Sequence, residues 1–237
     1  MKKNLEKLEK KIKIKFKNSE LLEQALTHRS YLNEHPGKNL THNERLEFLG
    51  DAVIEFIITE YLYNNYSEAE GILTSWRASL VNTNMLFKIA KEISLDKYIY
   101  LSRGESLSFS KKTKVTILAD ALEALVGAIY LDQGTEKVKE FLTEIMVAKL
   151  PHVLKYKLYE DPKSRLQELT QSETKVTPNY RVLKEEGPDH AKNFTVGVFL
   201  ADLLIARGIG KSKQEASLKA AAEALKKYSK KLKIKKK

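Results

Sequence analysis

The hydrophobic period of this 237-residue chain changes once, near Asp161-Pro162, and that change fixes the class of fold open to it. Over residues 5–156 apolar residues recur at three-to-four spacing: Leu21, Leu22, Ala25 and Leu26, then Phe48, Ala52 and Phe56, then Leu118, Leu122, Leu125 and Ile129. That is the period of one face of an α-helix, and strand-like alternation is absent. Turn signals at His35-Pro36-Gly37, Glu70-Gly71 and Asp132-Gln133-Gly134 divide the stretch. Beyond Asp161 the spacing predicts a helix over 164–171, strands over 180–184, 194–199 and 203–207, and an alanine-rich helix over 212–228 with Ala216, Ala220 and Ala224 on one face. Tyr180, Phe194 and Phe199 are expected in the core of that sheet. The expectation is a multidomain α and α+β protein. It has an all-α domain over 1–150, a linker over 151–160 containing Pro151, an α-β-β-β-α domain over 161–230 and a Lys-rich tail over 231–237.

Composition narrows what such a chain can do. The chain has no cysteine, which excludes a disulfide framework, a thiolate nucleophile and a Cys-based zinc site. No apolar run approaches the roughly 18 residues of a membrane-spanning helix. The N-terminus has a basic start without the apolar stretch of a signal peptide, so a cytoplasmic protein without membrane association is expected. The net charge of +11 is unevenly placed: +6 over 1–17, +8 over 226–237 and −4 over 18–160. Lysine tails of this kind favour a polyanion through counterion release, or else serve as solubilising ends.

The segment 42–53, HNERLEFLGDAV, carries the chemistry. On one helix Glu44, Glu47 and Asp51 fall at i, i+3 and i+7 and project from one face. Like charges at those spacings repel, so something should offset them. The flanking Leu46, Phe48, Leu49 and Ala52 predict burial of the other sides. A second pair, Asp120 and Glu123, sits in ADALEALVGAIYLD, where isolated charges are expensive to bury. Two acidic pairs from two helices suggest a divalent-metal cage of hard oxygen ligands, and the lack of a neighbouring His favours Mg²⁺ over zinc or di-iron. The alternative is a solvated face whose acids pair with Arg45, Arg77 or lysines. The five histidines, 28, 35, 42, 152 and 190, form no obvious acid–base couple, and His28 reads as a hydrogen-bonded structural residue.

The strings NERLEFLGDAV (43–53), ALTHRSY (25–31) and ADALEALVGAIYLDQG (119–134) closely resemble bacterial ribonuclease III, and the likeness covers nearly the whole chain. The resemblance implies an endoribonuclease that hydrolyses double-stranded RNA with Mg²⁺, for which Mn²⁺ can substitute. It implies 5′ phosphate and 3′ hydroxyl products with short 3′ overhangs, and a role in maturing ribosomal and other transcripts. It assigns Asp51 and Glu123 as the most critical catalytic residues and Glu47, Asp120 and Glu123 as metal ligands. Glu44 and Glu70 would shape the RNA valley, and Phe48 would plug a pocket of a second subunit in a homodimer.

DPKSRLQELTQ, EEGPDH and GIGKSKQEASLKAAAEAL resemble the three contact regions of a double-stranded RNA-binding domain, which reads duplex shape across two minor grooves. The implied contacts are Gln167, Gln171, His190, Lys211 and Lys213. The chain departs from the family at Gln214, where a second consecutive Lys is usual, at Glu55, an added carboxylate, and at Val115-Thr116. The rival readings are a catalytically inactive double-stranded-RNA-binding protein, which the four retained carboxylates oppose, and a metal-storing bundle, which would need Glu-x-x-His pairs the chain lacks.

Overall fold

A computed structural model describes residues 4–36, 41–108, 111–188 and 192–235, with backbone alone over 106–108, 111–112 and 228–235. The chain divides into two compact units, Met1–Tyr159 and Glu160–Lys237. Among the described residues no helix is long and apolar enough to cross a membrane.

The first unit is helical: α1 (Leu5–Ile12), α2 (Ser19–Ala25), α3 (Arg29–Asn33), α4 (Glu44–Asn65), α5 (Glu70–Val81), α6 (Thr83–Glu92), α7 (Arg103–Ser108), α8 (Lys111–Ile145) and α9 (Leu150–Lys155). Starts are set by polar side chains that accept otherwise orphaned N–H groups: Asn4 from Lys7, Asn18 from Glu20, and Asn82 from Met85. Around α4 and α8 one core gathers Ile54, Ile58 and Leu62 with Leu122, Leu125 and Ile129, all nearly inaccessible.

Two glycines let these two helices approach to backbone contact. A Cβ on Gly50 would lie 1.8 Å from the carbonyl oxygen of Glu123, and one on Gly127 would lie 2.3 Å from that of Leu46. Glycine inside a helix costs about 1 kcal/mol relative to alanine. Here that cost is offset by a crossing no other residue permits.

Several expectations need correction. Glu70-Gly71 is not a turn between helices but the exposed first turn of α5, where a carboxylate meets the positive end of the helix dipole. Asp132-Gln133-Gly134, by contrast, divides the helices as expected, breaking α8 at Gly134 with φ 81° and ψ −177°. Asp132 there accepts backbone N–H groups from Lys17 and Asn18, each at 2.8 Å, tying the N-terminal segment to the break. Of the stretch expected as linker, 151–155 are helical, and Val153 is fully buried in the first core. On α4, Leu46 is buried as expected, but Phe48 is 83% exposed, and Ala52 and Phe56 face solvent with it. An apolar stripe at i, i+4 and i+8 therefore lies opposite the buried face.

The second unit runs α10 (Pro162–Thr174), β1 (Pro178–Glu186), β2 (Asn193–Leu200), β3 (Leu203–Gly210) and α11 (Lys213–Lys235), with an antiparallel sheet in the order β1-β2-β3. Asp161 caps α10 by accepting from the N–H groups of Lys163 and Ser164, and Pro162 stands in the first turn. Ala220, Ala221 and Ala224 bring α11 close to Val198 and Ala206. Tyr180 packs against this core, but Phe199 does not. It shares the outer face of the sheet with Gly197, and the Arg181 guanidinium lies 4.7 Å from its ring. The alternation that sends Val196 and Val198 inward turns Phe199 out.

Replacing Gly127 with Ala should destabilise the protein by about 2 kcal/mol, because overpacking against a rigid backbone outweighs the gain in helix propensity. Urea unfolding checks this, and a variant as stable as wild type or more so would contradict the crossing.

Candidate active site

The crossing places the acids of α4 against those of α8. One carboxylate oxygen each from Glu47, Asp120 and Glu123 lies within 4.8 Å of the others. Two oxygens on one divalent cation stand up to roughly twice the 2.0–2.6 Å metal–oxygen distance apart, so this spacing fits such an ion. The donor set of carboxylate oxygens without imidazole suits a hard cation.

Electrostatics point the same way. Burial, then Asp51, Asp120 and Glu47, push Glu123 from its ordinary 4.5 up to about 8. Glu47 is raised by burial and then by Asp120, Glu44 and Asp51. Asp120 is raised by burial, against a backbone hydrogen bond that lowers it. Each charge acting on Glu47 and Glu123 is thus another carboxylate. Among the described residues none of Glu47, Asp51, Asp120 and Glu123 forms an ion pair with Lys, Arg or His. Surface acids such as Glu55, Glu60 and Glu144 do carry such partners. This group instead has the charge deficit that a bound cation relieves.

The other expected site residues are distributed around this centre. Asp51 is exposed one turn beyond Glu47 and outside the group of three, close enough to raise both Glu47 and Glu123. Glu44 faces the same cleft, a space of about 630 Å³ that it shares with Glu47 and Asp120. Arg29 Nη1 approaches Glu44 at 3.5 Å, and His42 Nδ1 at 3.8 Å. Glu70 is not brought to them within one chain: it lines a separate, largely apolar cleft of about 580 Å³ with Leu62, Tyr63, Tyr66 and Leu73. Glu55, the added carboxylate, pairs with Arg77 Nε at 2.9 Å. The residues missed from the sequence are Gly50 and Gly127, which hold the acids together. Their signal was two glycines inside strongly apolar helices, where glycine calls for a packing reason.

In the second unit Gln167 and Gln171 are both exposed one turn apart on α10, and Gln171 Nε2 reaches Thr177 Oγ1 at 3.5 Å. Lys211 and Lys213 are exposed at the start of α11. A reciprocal cap forms there: Ser212 Oγ accepts from the Glu215 N–H, and Glu215 Oε2 accepts from that of Lys211. Lys213 Nζ pairs with Glu185 at 3.0 Å. Gln214 is also exposed, beside these lysines. His190 lies outside the described residues.

Comparison with known proteins gives a concordant result. Residues 18–150 match the family model described as Ribonuclease-III-like, and residues 162–228 match the double-stranded RNA binding motif. The chain is 44% identical over 223 residues to Ribonuclease 3 of Clostridium tetani, covering 94% of each. It is 43% identical over 225 residues to Ribonuclease 3 of Nitratiruptor sp., covering 94% of this chain and 96% of the relative. Among solved structures, the nuclease domain of ribonuclease III from Campylobacter jejuni superposes with a TM-score of 0.55 at 40% identity, covering 62% of this chain and 99% of that one. That structure is described as showing flexibility in a region involved in dimer formation.

The raised carboxyl of Glu123 has a measurable consequence in the ion-free protein. The folded chain keeps this proton up to about pH 8, while the unfolded chain releases it near 4.5, so the stability it contributes is full below 4.5 and is lost as pH rises through 8. In chelator, unfolding midpoints should therefore fall between about pH 4.5 and pH 8, and less steeply for Glu123→Gln. Equal slopes in both proteins would contradict the assignment.

Proposed function

The chain belongs to the ribonuclease III family, endoribonucleases of double-stranded RNA, and from that premise we propose that it is a homodimer that hydrolyses duplex RNA with Mg²⁺, or Mn²⁺ in its place. The observation that carries this reading is the convergence of Glu47, Asp120 and Glu123 within 4.8 Å of one another, with no cationic side chain among the described residues paired to them. When bound, the cation supplies positive charge at the phosphoryl group and lowers the pKa of an attacking water. Glu47, Asp120 and Glu123 hold it. Asp51, exposed on the adjacent turn of α4, orients the water and takes its proton. A bond forms from the water oxygen to phosphorus, the bond to the 3′ oxygen breaks, and a proton goes to that oxygen. The products are a 5′ phosphate and a 3′ hydroxyl.

Two such sites in a homodimer, one for each strand, give staggered ends with short 3′ overhangs. The exposed stripe of Phe48, Ala52 and Phe56 supports self-association. The apolar cleft at Glu70 has walls suited to the phenyl ring of a second copy's Phe48. Phe48 follows Glu44 by four residues on α4, so that seating would bring Glu70 of one copy toward the carboxylates of the other and complete the RNA valley. The domain over 161–230 adds affinity and duplex selection through Gln167, Gln171, His190, Lys211 and Lys213, with the lysine tails adding charge. It follows the helical nuclease unit from Glu160 onward. Maturation of ribosomal RNA precursors and other transcripts in the cytoplasm is the role that suits this activity.

Replacing Glu123 with Gln should abolish Mg²⁺-dependent cleavage of a perfect duplex, a loss of at least about a hundredfold, while duplex affinity stays within about twofold of wild type. Cleavage at the wild-type rate by the variant, or a wild-type protein that binds duplex without cutting it, would overturn the assignment.

A further inference from the structure

The cleft beside the carboxylates has a second wall that the chemistry above leaves unused. Besides Glu47 and Asp120 the cleft is lined by His28, Arg29 and Asn33, and by Glu44 and Glu105. Arg29 is the only side chain lining it, among the described residues, that is cationic at neutral pH. Its tie to Glu44 is a single 3.5 Å contact, with the two side chains 71% and 49% exposed, so the guanidinium is free to turn to a stronger partner.

His28 is held from behind. The Ser102 backbone N–H donates to Ser30 Oγ at 3.2 Å, that oxygen lies 2.8 Å from His28 Nδ1, and the Ser30 backbone N–H donates to Nδ1 at 3.2 Å. With Nδ1 used as an acceptor, the ring proton of the neutral imidazole is assigned to Nε2. Burial, the largest influence on this ring, holds it below the ordinary histidine value. The α3 wall of the cleft therefore offers a guanidinium and an N–H donor, with Glu44 and Glu105 as their acidic neighbours, beside the carboxylates of Glu47 and Asp120. A lone phosphate at the carboxylates would leave the donor wall idle, but a polynucleotide brings a second phosphate with the first.

We propose that Arg29, with the Nε2–H of His28, seats the phosphodiester adjoining the one that is cleaved, and so fixes which bond of the strand lies over Glu47, Asp120 and Glu123. The inference rests on the proposed nuclease function and names a substrate-positioning element within it.

The test is a coupling between enzyme and substrate. Duplexes carrying a single uncharged methylphosphonate, placed in turn on each side of the scissile phosphate, are cut under single-turnover conditions with Mg²⁺. At one of the two positions the neutral linkage should slow wild type about tenfold and Arg29→Gln less than twofold, because the charged contact is already gone. On the native duplex Arg29→Gln should be about tenfold slower, with a salt dependence shallower by about one counterion. His28→Asn keeps an acceptor for the Ser30 N–H but lacks Nε2–H, and it should show a similarly reduced penalty. Equal methylphosphonate penalties in wild type and Arg29→Gln at both positions would overturn the proposal, as would an unchanged rate and salt slope on the native duplex. The wild-type rate on that duplex reports on the nuclease function by itself, and the ratio of penalties reports on Arg29.

Discussion

The close crossing of α4 and α8 is the constraint on which the rest of the nuclease domain depends. Helix axes usually stand 8–10 Å apart because side chains separate them. Here Gly50 lies against the Glu123 carbonyl and Gly127 against that of Leu46, so backbone meets backbone. Short acidic side chains reaching from either helix then meet in one small volume. With larger residues at 50 or 127, Glu47 would be held away from Asp120 and Glu123.

That arrangement works against the stability of the ion-free fold. Burial, and then the neighbouring carboxylates, push Glu123 up to about 8. The fully buried shell of Ala121, Leu122, Ala124, Leu125 and Val126 around it is what keeps the acids from spreading apart. A surface cluster would relax into water or recruit lysines, as Glu144 does with Lys13 and Glu60 with Lys139. The rigid apolar shell and the charge deficit are therefore two sides of one design. Binding energy from a cation is available to stabilise the fold and to be shared with an approaching phosphate.

How much of this was legible in the sequence differs from residue to residue. The helical period of the first unit, the strand alternation of the second, and the i, i+3 spacing of Asp120 and Glu123 are local signals, and each appears in the structure near its expected place. Phe48 shows the limit of local reading. Its spacing says that it shares a face with Ala52 and Phe56, but not whether that face meets the core or another molecule. Phe199 was misplaced because a short strand of apolar residues carries two faces, and only the partners Val196 and Val198 decide which is inward. Glu70 and Glu44 share a chemistry in the sequence, yet one chain keeps them in separate clefts. The α3 wall was the hardest to see, since Arg29 and Asp120 are distant in sequence and meet only around a common space.

Under the proposed function the acidity of the nuclease body and the basicity of the ends would serve one substrate by different means. Lysines at both ends would attract a polyanion over a long range, whereas the −4 of residues 18–160 includes acids that a cation would first offset. The most direct measurement of the central claim is a Mn²⁺ titration of the wild-type protein and Gly50→Ala, followed by electron paramagnetic resonance, with helicity recorded alongside. If the crossing assembles the site, the variant should remain helical while its affinity for Mn²⁺ falls at least about tenfold, because the Glu123 backbone is displaced from Glu47. A folded Gly50→Ala protein that binds Mn²⁺ as tightly as wild type would show that the crossing does not build the metal site.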